Sequence, residues 1–309
     1  MNIISIIIPC YFNELNLPVT HERLLEVEKL LPVGAKFHFV FIDDGSKDNT
    51  YDTLLKIKET DPAKTTVVKL SGNFGSYNAI LAGMKFAIGE CSVVIAADLQ
   101  DPPELIIKMY EYWLKGIKLV LANRNTRDDK LFERLFSNYY HKLIKRFAIN
   151  SMPKGGFDFC LFDKQLREEV VSLDEKNTNT LFLLVWMKYD FVNIPYHRVK
   201  REIGKSRWTL RKKIKLLIDS FVSFSYFPIR LISTVGILLS IVTLLYGLVL
   251  IYLKLTGRIH VQGWASILIV FLFVSSFQMI AIGILGEYLW RNLDASRNRP
   301  AYFIDKIHI

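Results

Sequence analysis

Short apolar runs alternate with stretches of helical period along the first part of the chain. The runs cover residues 3–9, 37–42, 65–70, 93–97 and 119–122. Runs of this length bounded by proline, glycine or acidic residues read as buried strands. Between them, apolar residues recur at helical spacing: Leu24, Leu25, Val27 and Leu30, then Leu54, Leu55 and Ile57, then the stretches 76–87 and 104–115. Strands alternating with helices predict an α/β domain, a mostly parallel, doubly wound sheet with helices on both faces. Pro102 and Pro103 suit the first turn of the helix that follows, where the N–H they lack would have no helical partner.

In such a sheet the parallel strands end on one edge, and ligands bind there. The polar residues collect at those ends. The first run leads into Cys10-Tyr11-Phe12-Asn13-Glu14, the second into Asp43-Asp44-Gly45-Ser46, and the fourth into Asp98-Leu99-Gln100-Asp101. Tyr11 can stack on a base, and Asp44 can accept from a base N–H or a ribose hydroxyl. Asp-Asp-Gly-Ser is also ordinary turn and helix-cap chemistry, so that motif alone leaves both readings open. Oxygen donors at a strand end suit a hard cation such as Mg²⁺, which takes few protein ligands and completes its shell with water and phosphate. An acidic strand-to-helix turn without a ligand has the same sequence. The fingerprint G-x-G-x-x-G is absent from the first turn, which disfavours a nicotinamide or flavin enzyme.

The last third changes character. Residues 231–253 and 265–286 carry no charge, and each run is long enough to cross a bilayer. Ahead of them Ile214, Leu217, Ile218 and Phe221 recur at helical spacing among Arg211, Lys212, Lys213 and Lys215. That is the pattern of a basic amphipathic helix in a membrane interface, and a helix packed on the first domain would share it. These segments lift the apolar content to 51%, and the formal net charge is +10. Because Lys and Arg crowd just before the apolar runs, membrane lipids are expected as partners and nucleic acid is not. Lys and Arg are dense from 205 to 230 and recur from 291 to 306, whereas the loop between the runs holds only Lys254 and Arg258. The positive-inside rule then places the first domain and the end of the chain in the cytoplasm. Trp264, Tyr288 and Trp290 stand where interfacial aromatics belong. Cys10, Cys91 and Cys160 are widely spaced, which fits a reducing compartment and neither a disulfide framework nor a zinc site. The first residues have no basic region and run straight into a strand, so no signal peptide is expected.

The segments Ile6-Ile7-Ile8-Pro9-Cys10-Tyr11-Phe12-Asn13-Glu14, Ile42-Asp43-Asp44-Gly45-Ser46, Asn73-Phe74-Gly75 and Asp98-Leu99-Gln100-Asp101-Pro102-Pro103-Glu104 resemble the inverting family 2 glycosyltransferases. Within that family they resemble the polyprenyl-phosphate branch, which includes dolichol-phosphate mannose synthase and the bacterial undecaprenyl-phosphate glucosyl- and aminoarabinosyltransferases. Order and spacing match over nearly the whole chain. Arg201-Glu202-Ile203-Gly204-Lys205-Ser206-Arg207 resembles the branch's Arg-x-x-Gly-x-Ser-Lys, with Arg207 in place of Lys. Elsewhere the chain departs from the pattern. Ala96 stands where Asp-x-Asp-Leu-Gln has its first Asp, Phe12 is an extra residue in Pro-x-Tyr-Asn-Glu, and Ser76 stands where bacterial relatives often have Lys.

The resemblance implies a GT-A catalytic domain over residues 1–207, an interfacial amphipathic helix over 208–228 and a membrane anchor over 229–309. The anchor would hold two transmembrane helices, at 231–253 and 265–289, and a short cytoplasmic tail. The implied reaction moves one sugar, with inversion, from a nucleotide diphosphate donor, expected to be a UDP-sugar, to polyprenyl (undecaprenyl) phosphate at the inner membrane. Mg²⁺ or Mn²⁺ is expected on Asp98 and Gln100. Pro9, Tyr11, Glu14, Ile42, Asp44, Ala97 and Gln100 are expected at the substrates, with Asp98, Arg124 and Arg201 in catalytic roles. Arg134, Asp158, Ser206 and Arg207 are expected near the acceptor and the phosphates, where guanidinium forks orient and neutralise charge. A homo-oligomer is compatible with this reading. Two rivals stand beside it. A processive polysaccharide synthase would typically carry Gln-x-x-Arg-Trp and more spans, and this chain has Ser206-Arg207-Trp208 without that Gln. The best argument for a non-catalytic membrane scaffold of the same fold is Ala96.

Overall fold

The computed structural model describes residues 2–126, 139–140, 142–153, 155–173, 175–198, 210–256 and 263–309. The chain forms two compact units, one of Met1–Ser220 with Pro300–Ile309 and one of Phe221–Arg299.

The first unit is built on one eight-stranded sheet. Its strands are β1 (Asn2–Cys10), β2 (Ala35–Asp43), β3 (Thr65–Leu70), β4 (Cys91–Val94), β5 (Leu119–Thr126), β6 (Phe159–Asp163), β7 (Phe191–His197) and β8 (Ile304–His308). The order across the sheet is β7-β5-β6-β4-β1-β2-β3-β8. The expected mostly parallel sheet is present: β1 pairs in parallel with β2 and β4, β2 with β3, and β5 with β7. The helices are α1 (Leu17–Glu28), α2 (Thr50–Thr60), α3 (Ser76–Phe86), α4 (Leu105–Leu114), α5 (Lys164–Leu173) and α6 (Thr180–Trp186). Alternation along β1 sends Ile4, Ile6 and Ile8 to a core with Leu24 of α1, Leu54 of α2 and Met109 of α4. Ile7 faces the other way and meets α3 at Gly83. Both faces are therefore covered, which is why the central strands read as unbroken apolar runs.

Two strands run against the rest. β6 is antiparallel to β4 and β5, and β8 is antiparallel to β3. A reversed strand presents its amino end where its neighbours present their carboxyl ends. Asp158, just before β6, and Phe303, just before β8, thus reach the edge that carries the other strand ends. β5 continues past its expected end at 122 because it pairs with β7 as far as Arg124 and Thr126. The expected short tail is also different: residues 304–308 are the eighth strand of the first unit's sheet. Its residues are mostly exposed, with Asp305 and Lys306 on the strand. Such a strand is held by backbone pairing rather than by apolar burial, so it left little trace in the hydrophobic pattern.

In the second unit, α8 (Phe227–Leu255) and α9 (Trp264–Ser296) are two apolar helices. Their stretches Phe227–Leu253 and Val270–Ser296 are long and apolar enough to cross a membrane, and their side chains are turned outward. The preceding helix, α7 (Leu210–Phe224), lies within the expected 208–228 and stops at Ser225, whose hydroxyl accepts from Phe227 N at 3.0 Å. Tyr288 donates to Ser225 O at 2.8 Å, and Arg291 donates to Ser223 Oγ at 3.2 Å.

Candidate active site

The path β1, β2, β3 proceeds one way across the sheet, and β4 then falls on the other side of β1. The crevice between the ends of β1 and β4 is a topological switch point, the usual ligand position in an open α/β sheet. Both loops there contain a left-handed non-glycine residue, Phe12 with φ 58° after β1 and Leu99 with φ 51° after β4. Such conformations cost energy and persist only where neighbours enforce them. After β4, Gln100 N donates to Asp98 Oδ1 at 3.3 Å, and Thr20 of α1 donates to Ala97 O at 2.9 Å. After β1, Phe12 N donates to Ser46 Oγ at 3.0 Å and Asn13 N to Thr50 Oγ1 at 2.8 Å. Glu14 Oε2 accepts from Asn49 N at 2.9 Å, so this carboxylate ties the β1 loop to the start of α2. The Tyr11 and Phe12 rings meet edge to face, 4.6 Å between centroids.

The Asp43-Asp44-Gly45-Ser46 turn serves as a joint as well as a strand end. Asp43 is fully buried and its Oδ1 accepts from Ser46 N at 3.1 Å. Burial raises its pKa, against the lowering effect of the Ser46 hydrogen bonds. The Asp44 carboxylate accepts from Phe74 N at 2.7 Å and Gly75 N at 3.0 Å, which gives Asn73-Phe74-Gly75 its partner. Gly45 has φ 68°, and a Cβ there would fall 2.5 Å from the Gly72 carbonyl carbon. The two turns pack backbone against backbone, which only glycine allows. Pro9 and Ile42 pair across β1 and β2, and Ile42 is buried against α3, so its contact with any ligand is through its backbone.

A chain of charged and phenolic groups runs beside this edge. Arg124 is buried, donates through Nη2 to Asp158 Oδ2 and through Nε to Tyr196 Oη at 3.3 Å. Tyr196 donates in turn to Asp101 Oδ1, and Arg198 forms an ion pair with the same oxygen at 3.3 Å. Burial pulls the Arg124 pKa down, but Asp158, Tyr196 and Asp101 more than reverse it, so the guanidinium stays charged. Burial pushes the Asp101 carboxyl up, opposed by Arg198, Arg124 and the Tyr196 hydrogen bond. Gly155, with φ +83°, lets its turn approach Arg124 O, which would sit 3.0 Å from a Cβ there. Sequence reading brought Arg124 and Asp158 forward separately, and the structure pairs them. It overlooked Tyr196 and Arg198, whose only local signal is the alternation in Phe191-Val192-Asn193-Ile194-Pro195-Tyr196. Asp101 tethers β7 to the β4 loop through Tyr196 and Arg198.

Among the described residues no group of three His, Cys, Asp or Glu side chains could hold a metal ion. Asp98 and Gln100 offer oxygen donors from one tight turn, and Ala96 offers none. That set fits Mg²⁺ or Mn²⁺ held mainly by water and a diphosphate, and it does not fit an ion caged by protein. Arg134, Arg201, Ser206 and Arg207 lie outside the described residues.

The profile described as "Glycosyl transferase family 2" matches residues 5–171. An uncharacterized glycosyltransferase of Bacillus subtilis (strain 168), YkcC, is 35% identical over 98% of this chain and 93% of its own. The bactoprenol glucosyl transferase of Shigella phage SfII is 33% identical over 99% of this chain and 98% of its own. Among solved structures, the mannosyltransferase PcManGT of Pyrobaculum calidifontis, in complex with GDP-Man and Mn²⁺, matches with a TM-score of 0.50 at 18% identity. That match covers 94% of this chain and 86% of the other, and it shows a shared GT-A fold.

Proposed function

The chain belongs to glycosyl transferase family 2, and on that premise we propose that it moves one sugar from a nucleotide diphosphate donor to a polyprenyl phosphate. The observation that carries this reading is the end-to-end likeness, membrane helices included, to a protein named for glucosyl transfer to bactoprenol. UDP is the proposed carrier.

The acceptor phosphate is the nucleophile. Its second pKa is near 6, by analogy with phosphorylated side chains, so it is largely ionised at neutral pH and needs no strong protein base. A phosphate oxygen bonds to the anomeric carbon as the bond to the diphosphate oxygen breaks, and the electron pair leaves with the nucleoside diphosphate. Attack opposite the leaving group inverts the centre. Tyr11 stacks on the base, and Asp44 reads the base or ribose from its place between the two turns. Asp98 and Gln100 face the diphosphate, where a divalent ion, Mg²⁺ or Mn²⁺, neutralises charge when bound. Arg124, held by Asp158 and Tyr196, is pre-positioned beside the phosphates rather than free to swing. Arg201, Ser206 and Arg207 are assigned to the acceptor phosphate because their segment directly precedes the basic helix and the apolar runs, and Arg134 is assigned to clamping phosphate charge.

The proposed location is the inner membrane, with the first unit in the cytoplasm. Loop charge supports this side, and the β3–β8 pairing supports only that both ends of the helical pair lie on one side. The chain leaves the first unit near Ser220 and rejoins it at Pro300, so the helices between must return to the side they left.

The test is a panel of nucleotide sugars offered with undecaprenyl phosphate to the purified protein, with product read by mass. A lipid carrying one sugar is expected. Asp98→Asn should abolish transfer and Gln100→Ala should weaken it less. Chelator should stop the reaction, and Mg²⁺ or Mn²⁺ should restore it; full activity in chelator sinks the metal role. Lipids carrying sugar chains would favour the processive synthase, and no product with any donor would favour the scaffold.

A further inference from the structure

The strand that follows the membrane helices touches the donor side of the site. Because β8 is antiparallel to β3, its amino end arrives beside the 71–75 turn. There Ser71 N donates to Phe303 O at 2.9 Å, and the Phe303 and Phe74 rings lie 6.2 Å apart. Phe74 is the residue whose N–H holds the Asp44 carboxylate, and Gly72 in the same turn packs under Gly45. The rest of the strand is fastened further along. Tyr51 Oη lies 2.8 Å from His308 Nε2, Lys69 Nζ lies 3.8 Å from Asp305, and Lys85 sits over the Tyr302 ring. Phe303 itself is 56% exposed, so burial does not account for an aromatic ring there. Its ring partner in the structure is the turn that holds Asp44.

We propose that Phe303 is a positioning residue for the nucleotide-sugar donor, fixing the 72–75 turn and through it Asp44. This rests on the reading of Asp44 as a donor contact. A strand from beyond the membrane segment thereby sets donor affinity, while acceptor handling is left to other residues.

The test is steady-state kinetics on the full-length protein with Phe303→Ala, Phe303→Tyr and Ile307→Ala. Ile307 lies on the same strand, opposite Val68, and serves as the control for general loosening. Phe303→Ala should raise the donor KM about fivefold, the size of one lost aromatic pair, with kcat and acceptor KM unchanged. Phe303→Tyr should restore the donor KM, and Ile307→Ala should leave it as in the wild type. An unchanged donor KM in Phe303→Ala overturns the proposal, and so does an equal rise in Ile307→Ala. Calorimetric titration with UDP, without turnover, reads the same effect as a weaker Kd. If the wild type binds UDP yet transfers no sugar, the proposed function fails, while the comparison of Kd values still decides the role of Phe303. If the wild type does not bind UDP, the choice of UDP falls, and the same Kd comparison with the nucleotide that the donor panel identifies decides the role of Phe303.

Discussion

His38 is buried in mid-sheet, its Nδ1 3.3 Å from Ser5 Oγ and its Nε2 3.1 Å from Thr66 Oγ1. Burial, aided by the charges of Lys58 and Arg167, pulls its pKa from 6.5 down to about 4. Above pH 6.5 the ring is neutral in both folded and unfolded chains, and the stability it permits is fully present. As pH falls from 6.5 toward about 4 the unfolded chain takes up a proton that the folded chain refuses, so stability is lost. The slope is at most about 1.4 kcal/mol per pH unit. Asp43 and Asp101, raised by burial, act in the opposite sense. The readout is therefore the difference between wild type and His38→Gln in Tm against pH, in detergent. The wild type should lose more Tm than the variant on acidification; parallel curves would show that His38 titrates as if exposed. Ser5 and His38 look like a nucleophile and base, but burial in the sheet reserves them for structure, and Ser5 Oγ also accepts from Ile88 N and Gly89 N. The positions of Asp98, Asp44 and Tyr11 at the strand-end edge were legible in the sequence because each comes within two residues of the end of an apolar run. The Ser5–His38–Thr66 contact was not, because it depends on which strands are neighbours and in what register.

The turns that join strands to helices carry the candidate site, and Gly45 is where two of them meet. Gly45→Ala places a methyl group 2.5 Å from Gly72 backbone at φ +68°. It should cost about 1–3 kcal/mol, the scale of enforced backbone strain, and weaken donor binding. Gly72→Ala points into open space, with nothing within 4 Å, and should stay within about 0.5 kcal/mol of wild type. Thermal unfolding of both variants checks the pair, and equal losses would mean that the turns do not interlock this way. Five strands and their helices could be read from hydrophobic period alone. β6 has an apolar run, but its reversed direction is not a local property, so Asp158's arrival at Arg124 could not be foreseen. β7 contains Pro195, which argues against a central strand. It lies at one margin of the sheet, where proline is tolerated.

For the whole molecule, the β3–β8 pairing puts both ends of the helical pair on one side and loop charge proposes which side that is, and labelling tests it. Cys10, Cys91 and Cys160 are all buried, so an introduced thiol can be read against a low background. Gln262→Cys should react with an impermeant reagent applied outside intact cells, and Asn298→Cys should not; the reverse pattern would turn the site away from cytoplasmic nucleotide sugars. The two long apolar runs were the most legible part of the sequence, since spanning a bilayer demands length and little else. The return of the chain into the sheet was the least legible, because an exposed edge strand needs so few apolar residues. That return has a consequence for how the protein is made. β3 emerges from the ribosome early, and β8 emerges only after both apolar helices have been synthesised. Until then the β3 margin stands open, a bare ladder of N–H and C=O groups on which another chain could polymerise. A copy in which residues 304–308 do not reach β3 keeps that ladder on show to chaperones and proteases, while a folded copy conceals it with its own β8.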